Sequence, residues 1–311
     1  MPPIFYILIS LLVVVILLLG ISFYVYLRIF FNNRKHSPER FEPLKGKLYD
    51  PFAEKSRELI KKAMALPFEQ VYLKVNRRKT LAARYYFSKE GAPTAIMVHG
   101  YKGYSIRDFS GGINEVIRRG NNVLLVDHHG HNLSSGRTIT FGVKEKDDVL
   151  RWIEYINKRN NNPDIYLYGI SMGAATVLMD SGLPLPNNVK AIIADCPYNS
   201  VKEEIKFTVN KMGLKYAPLA PFIHLAGLLF ARFNLNKGEV KEYLKKNKLP
   251  ILLIHGTTDD IVPVSNSRTL KDEFPYIDYC EFEGAPHGLS YFVDYERYSK
   301  ELDNFLDKIS K

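Results

Sequence analysis

The chain has 311 residues, 46% of them hydrophobic and 24% charged, with a formal net charge of +10 and two cysteines. That balance fits a globular domain and excludes a low-complexity or fibrous chain. Cys196 and Cys280 form no disulfide framework and lack metal-ligand spacing, which fits a reducing compartment. Residues 1–40 carry +3, which leaves a modest +7 on the remainder, with no run of five basic residues and no recognisable nucleic-acid module. Nucleic-acid binding is therefore not expected; the excess suits solubility or an anionic membrane surface.

From Met1 to Leu27 no side chain is charged, and Ile4 to Leu27 is almost wholly Ile, Leu, Val, Phe and Tyr. At about 1.5 Å per helical residue this run crosses a hydrocarbon core of roughly 30 Å. A cleaved signal peptide would carry a basic n-region, a shorter apolar core and a small-x-small cleavage site, so residues 1–31 are read as a single-pass transmembrane anchor. Basic residues follow at Arg28, Arg34, Lys35, Arg40, Lys45 and Lys47, and the positive-inside rule then places the following domain in the cytoplasm.

Residues 32–69 read as a juxtamembrane linker, polar and punctuated by Pro and Gly, followed by a lead-in helix. VYLKV (71–75) and LAARYYF (81–87) then suggest an antiparallel lead-in. TAIMV (94–98), NVLLVD (122–127), IYLYG (165–169), KAIIAD (190–195), ILLIHG (251–256) and DYCEF (278–282) follow as strands, most of them continuous in apolar residues as parallel strands covered on both faces should be. Between them lie helical patterns such as residues 145–159, where Val149, Trp152, Ile153 and Ile156 recur at spacings of three and four. The alternation predicts an α/β fold with a mainly parallel sheet. More than fifty residues separate Asp195 from Ile251, so residues 201–249 are expected to be a helical lid inserted into a core of residues 70–200 and 250–311. Its apolar run Phe222 to Phe233 is too short to span a bilayer and is expected to pack over the sheet edge.

The stretch IYLYGISMGAAT (165–176) sets Ser171 between two glycines where a strand gives way to a small-residue helix start. A sharp strand-to-helix turn leaves no room for side chains beside such a serine, lifts its hydroxyl above the sheet end, and aims the following N–H groups at the same spot. Of the eight histidines, His287 lies in a Gly-Ala-Pro loop just after the last predicted strand, within reach of the serine. His36, His99, His224 and His255 read as structural or linker residues. The cluster Asp127-His128-His129-Gly130-His131 has the residue types of a zinc site, but neighbours on one extended segment point to different sides and no second ligand cluster exists. The loop after ILLIHG offers Asp259 and Asp260 as the acid, with Asp195 as a further candidate.

These segments together resemble the α/β-hydrolase superfamily. His99-Gly100-Tyr101 resembles its oxyanion-loop HG motif; Asp127-x-x-Gly130-His131-x-x-Ser134 its D-x-R-G-x-G-x-S segment; Gly169 to Gly173 its nucleophile elbow; and His255-Gly256-x-x-Asp259-x-x-Val262-Pro263 its acid loop. His287 matches its late catalytic histidine, and the resemblance covers roughly residues 70–310. His129 stands where the family has arginine, and Asn132 where it has the second glycine. Among subgroups the chain is most similar to bacterial membrane-anchored serine hydrolases with a helical insertion, and more loosely to prolyl-oligopeptidase-like and feruloyl-esterase-like enzymes.

The resemblance implies a mostly parallel eight-stranded sheet with helices on both faces, and a triad of Ser171, Asp259 and His287 with the backbone N–H groups of Tyr101 and Met172 as the oxyanion hole. It implies an ester hydrolase needing no cofactor or metal, acting on a small-molecule or lipid-like ester. A peptidase of prolyl-oligopeptidase type would use the same triad with a charged pocket for a peptide terminus, for which Arg107, Arg137 and Arg232 are the sequence candidates. A scaffold that has lost its chemistry is disfavoured because every triad position is filled. Phe222, Ile223, Leu225, Leu228, Leu229, Phe230 and Phe233 of the lid are candidates for an acyl pocket, or for the lid's own core.

Overall fold

The computed structural model describes residues 3–33, 35 and 41–309. Eight strands make one sheet: β1 (Glu69–Asn76), β2 (Lys79–Tyr86), β3 (Thr94–Val98), β4 (Asn122–Asp127), β5 (Ile165–Ile170), β6 (Val189–Asp195), β7 (Ile251–Gly256) and β8 (Asp278–Phe282). Their spatial order is β1-β2-β4-β3-β5-β6-β7-β8. β1 pairs antiparallel with β2, and β2 with β4; every other pairing is parallel. The helices are α1 (Pro3–Ile29), α2 (Ala53–Ala65), α3 (Ser105–Asp108), α4 (Gly112–Arg118), α5 (Glu145–Asn160), α6 (Met172–Asp180), α7 (Val201–Lys211), α8 (Tyr216–Ala226), α9 (Val240–Leu244), α10 (Ser265–Glu273), α11 (Ser290–Val293) and α12 (Tyr295–Ile309).

Both faces of the sheet are covered, and the period-two geometry of a strand divides its side chains between two cores. Ile96 and Val98 of β3, Leu124 and Val126 of β4, and Ile165 and Leu167 of β5 join Trp152 and Ile153 of α5 on one side. Ala95, Met97, Val123, Leu125, Tyr166 and Tyr168 join Phe305 and Leu302 of α12 on the other. The continuous apolar runs of the sequence arise because each strand must satisfy both faces at once.

Among the described residues, α1 is the one helix long and apolar enough to cross a membrane. Its side chains are exposed from Ile4 through most of its length, but its last turns dock on the domain: Val25 and the following Phe30 are buried in the core. The chain does not leave the helix as a free tether. Ile139 N donates to Phe30 O at 2.7 Å, Asn32 N donates to Arg137 O at 2.7 Å, and Phe30 meets the rings of Phe141 and Phe233. The start of the segment read as a polar linker is therefore part of the domain surface; Arg34, His36 and Arg40 lie outside the described residues.

The connection between β6 and β7 contains α7, α8 and α9, with a π-helical turn at Gly227–Ala231 continuing α8. The run 222–233 does not lie over the sheet edge. Its partner is the foot of α1, where Phe230 stands 5.1 Å from Phe23 and 5.9 Å from Tyr26 between ring centroids. Packing these rings on the apolar foot of α1 removes both surfaces from water together.

Candidate active site

The sheet register gathers the relevant loops at the carboxyl ends of its parallel strands. Val98 pairs with Gly169, so the chain leaving β3 through Gly100 and Tyr101 runs beside the chain leaving β5 through Ser171. An added Cβ on Gly100 would lie 3.3 Å from the Ser171 Cβ. β7 and β8, two and three strands over from β5, deliver Asp259 and His287 to the same end.

Ser171 caps the start of α6 with φ 57° and ψ −119°, a conformation that costs a non-glycine residue about 1–3 kcal/mol. The flanking glycines are demanded by space: a Cβ on Gly169 would meet Gly173 O at 2.4 Å, and one on Gly173 would meet Val98 O at 1.8 Å. The turn is thus held tightly enough to keep the serine in a strained backbone.

His287 Nε2 lies 2.8 Å from Ser171 Oγ, and His287 Nδ1 lies 2.7 Å from Asp259 Oδ2. A carboxylate accepts only, so Nδ1 carries the proton and Nε2 accepts from the serine hydroxyl. Asp259 Oδ1 in turn accepts the N–H groups of Ile261 at 2.9 Å and Val262 at 2.8 Å. His255 Nε2 stands 3.2 Å from Asp259 Oδ2 and 2.9 Å from Val262 O, so it too must donate, while its Nδ1 accepts from Ser267 Oγ at 2.7 Å. His255 thus supports the acid as well as closing its strand, and its spacing of four before Asp259 is the signal of that role in the sequence.

The other two carboxylates are engaged elsewhere. Asp260 accepts from Tyr49 Oη at 2.7 Å and Lys211 Nζ at 2.9 Å. Asp195 is buried, its pKa pushed up to about 7 by that burial, and its backbone oxygen accepts Ser171 N at 2.9 Å. Burial works against charge on Asp259, yet His287 and His255 hold its carboxyl well below the usual range. Burial likewise disfavours a charged His287, while Cys196 and Asp259 act oppositely and leave its pKa well above 6.5. The buried Cys196 thiol is itself pushed up to about 12 and is neutral near pH 7, so we assign the rise to Asp259.

α6 begins at Met172, and first-turn N–H groups of a helix have no intrahelical acceptor. The β3 loop carrying Tyr101 is braced from below: Gly100 N donates to Asp108 Oδ2 at 3.0 Å, and Arg107 Nε donates to Asp108 Oδ1 at 2.8 Å. His99 Nδ1 donates to Gly100 O at 2.8 Å and its Nε2 accepts His128 N at 3.1 Å, a fixed neutral tautomer. His128 Nε2 donates to His99 O at 3.1 Å. Burial lowers the pKa of His99, His128 and His131 alike. The donors of His128, His129 and His131 do not converge; among the described residues the one group of three metal-ligating atoms is Cys196, Asp259 and His287. His128 braces the loop through its two bonds with His99.

Ser171 and His287 open on a cavity of about 1020 Å³, walled by Ile205, Val209, Ile223 and Val262 among others. Of the seven lid residues considered for an acyl pocket, Ile223 alone lines it; Leu228 and Leu229 are exposed, and Phe233 is in the core. Of the three candidate arginines, Arg107 alone lines it, and its guanidinium is taken by Asp108 at 2.7 Å.

A family profile described as the alpha/beta hydrolase fold matches residues 93–226, from the β3 strand through the Ser171 turn to the end of α8. The chain has the α/β-hydrolase fold. A Pyrococcus furiosus esterase, Pf2001, has a structure similar to that of this chain, with a TM-score of 0.64 over 80% of this chain and 95% of its own, at 20% identity. An uncharacterised Bacillus subtilis protein, YqkD, is 31% identical over 61% of this chain and 63% of its own length. The lysophosphatidylserine lipase ABHD12 of Danio rerio is 24% identical over 58% of this chain and 47% of its own. The matches thus span less than two thirds of these curated relatives.

Proposed function

We propose that this protein is a membrane-anchored serine hydrolase that cleaves a small-molecule or lipid-like ester. The observation that carries the reading is the continuous hydrogen-bond chain from Ser171 through His287 to Asp259 at the wall of a largely apolar cavity.

In this mechanism His287 Nε2 takes the hydroxyl proton as Ser171 Oγ attacks the acyl carbon, while Asp259 holds the imidazole tautomer and favours the imidazolium that forms. The tetrahedral oxyanion sits on the N–H groups of Met172 and Tyr101, each such donor lowering the barrier by about 3 kcal/mol. His287 then protonates the leaving alcohol, and water, activated by the same imidazole, releases the acyl group from Ser171. An ester is favoured over a peptide because the wall is mainly apolar and, of the three candidate arginines, Arg107 is paired with Asp108 while Arg137 and Arg232 do not line the cavity, although Arg28 and Lys102 do. The lipase and esterase relatives support the same substrate class. The basic residues that follow α1 support a cytoplasmic catalytic domain.

The test is a panel of acyl esters offered to the detergent-solubilised protein and to its Ser171→Ala variant. Turnover by the first and none by the second, with matching circular dichroism, is expected. Equal turnover by both would overturn the assignment.

A further inference from the structure

The cavity beside Ser171 is not enclosed by the hydrolase domain alone. Ile21, Tyr24, Val25, Leu27, Arg28 and Ile29, all on the last turns of α1, contribute to its wall. From Ile29 back to Ile21 is about 12 Å along the helix axis, at about 1.5 Å per residue. The cavity therefore runs from the serine alongside the same helix that is apolar enough to cross a bilayer. Ile21, Tyr24 and Leu27 line it while remaining exposed, as do Met212 and Leu214 opposite them on the segment after α7.

The position of this wall relative to the chemistry is fixed by direct bonds. The final carbonyls of a helix have no intrahelical donor. Here two of them are taken by the loop that follows β3: Tyr101 Oη donates to Ile29 O at 2.6 Å, and Lys102 Nζ donates to Arg28 O at 3.3 Å. Tyr101 also stacks on Phe141, whose ring meets Phe30 just past the helix. The residue assigned to the oxyanion hole thus grips the end of α1 with its side chain.

We propose that α1 is a wall of the substrate site as well as an anchor, so that the acyl chain of a bilayer-resident ester passes directly from the membrane along Ile21, Tyr24 and Val25 to Ser171. The exposed apolar residues at the mouth make this favourable: Met212 and Leu214 would otherwise face water, and Leu228 and Leu229 extend the same apolar surface beside α1. An acyl chain that stays between α1 and the β6–β7 insertion need not cross water between membrane and serine. The proposal rests on Ser171 being the nucleophile, and it specifies the substrate as a membrane amphiphile delivered from the bilayer and not a monomer captured from solution.

The test uses the full chain reconstituted in phosphatidylcholine vesicles, with a hexadecanoyl ester embedded in the bilayer and the acetate ester of the same alcohol in solution. Ile21→Trp narrows the mouth, whereas Leu11→Trp places the same ring on α1 at a position that does not line the cavity. Ile21→Trp is expected to lower the ratio of kcat/KM for the long ester over the short one by about tenfold, the scale of a steric mismatch in an apolar pocket. Leu11→Trp should leave that ratio where it is. A ratio unmoved by Ile21→Trp, or moved equally by both variants, would overturn the proposal. In unaltered protein, diluting the long ester within the vesicles at constant bulk concentration should slow its turnover, and a rate indifferent to surface dilution would also overturn it. Acetate hydrolysis separates the two readings. Its persistence with a failed ratio test removes only the α1 route, whereas absence of all turnover removes the nucleophile assignment too.

Discussion

In the proposed mechanism Ser171 and His287 set the behaviour of the site at the level of single residues. A general base must be unprotonated to work, and Asp259 holds the His287 pKa above its ordinary value, so under this mechanism a larger share of the protein carries a protonated His287 at pH 6.5 than an isolated imidazole would. The account predicts that kcat/KM rises with pH and reaches half its plateau above pH 6.5. Asp259→Asn should move that midpoint downward and, by presenting a donor to Nδ1, lower kcat by about four orders of magnitude. A midpoint unmoved in the variant would separate His287 from the acid limb. The motif order made Ser171 and His287 legible from sequence, because each occupies a turn whose composition is constrained. The acid was less so: Asp259 and Asp260 are adjacent, and only the turn that bonds Asp259 Oδ1 to Ile261 and Val262 aims its other oxygen at the imidazole. The packing of Cys196 against that ring was not legible, since β6 brings it there through the sheet.

The turn that carries Ser171 is the element whose geometry depends most on a missing side chain. Gly173→Ala would drive a methyl group to within 1.8 Å of Val98 O, and rigid backbone on both sides cannot yield by the required distance. A loss of about 3 kcal/mol or more in unfolding free energy is expected, read from denaturant titration, together with lost activity. A variant as stable as the parent would show that β3 and α6 pack more loosely than this geometry requires. Strands were legible almost to the residue because burial on both faces forces continuous apolar runs. The helices of the β6–β7 connection were legible as helices but not in their placement. The partner of α8 is α1, some two hundred residues earlier, and no local pattern encodes so distant a pairing.

Taken whole, the molecule joins its apolar helix to its hydrolase domain through a packed seam and not a flexible tether. Phe30 is fully buried against Phe141 and Phe233. Phe30→Ala should therefore cost about 3–5 kcal/mol of stability in detergent, the scale of an emptied core site. A cost near zero would mean that the helix and domain are mechanically independent. The polar, Pro-containing sequence after α1 reads as a linker because composition reports solvation, and it does not report the backbone bonds by which that segment pairs with residues 137–139. The central claim concerns Ser171, and reaction of the detergent-solubilised full-length protein with a fluorophosphonate, followed by peptide mapping, tests it most directly. The account predicts one phosphonylated site, on the peptide bearing Ser171, and none in folded His287→Ala protein. Absence of label on folded, unaltered protein, or label at a different serine, would contradict it.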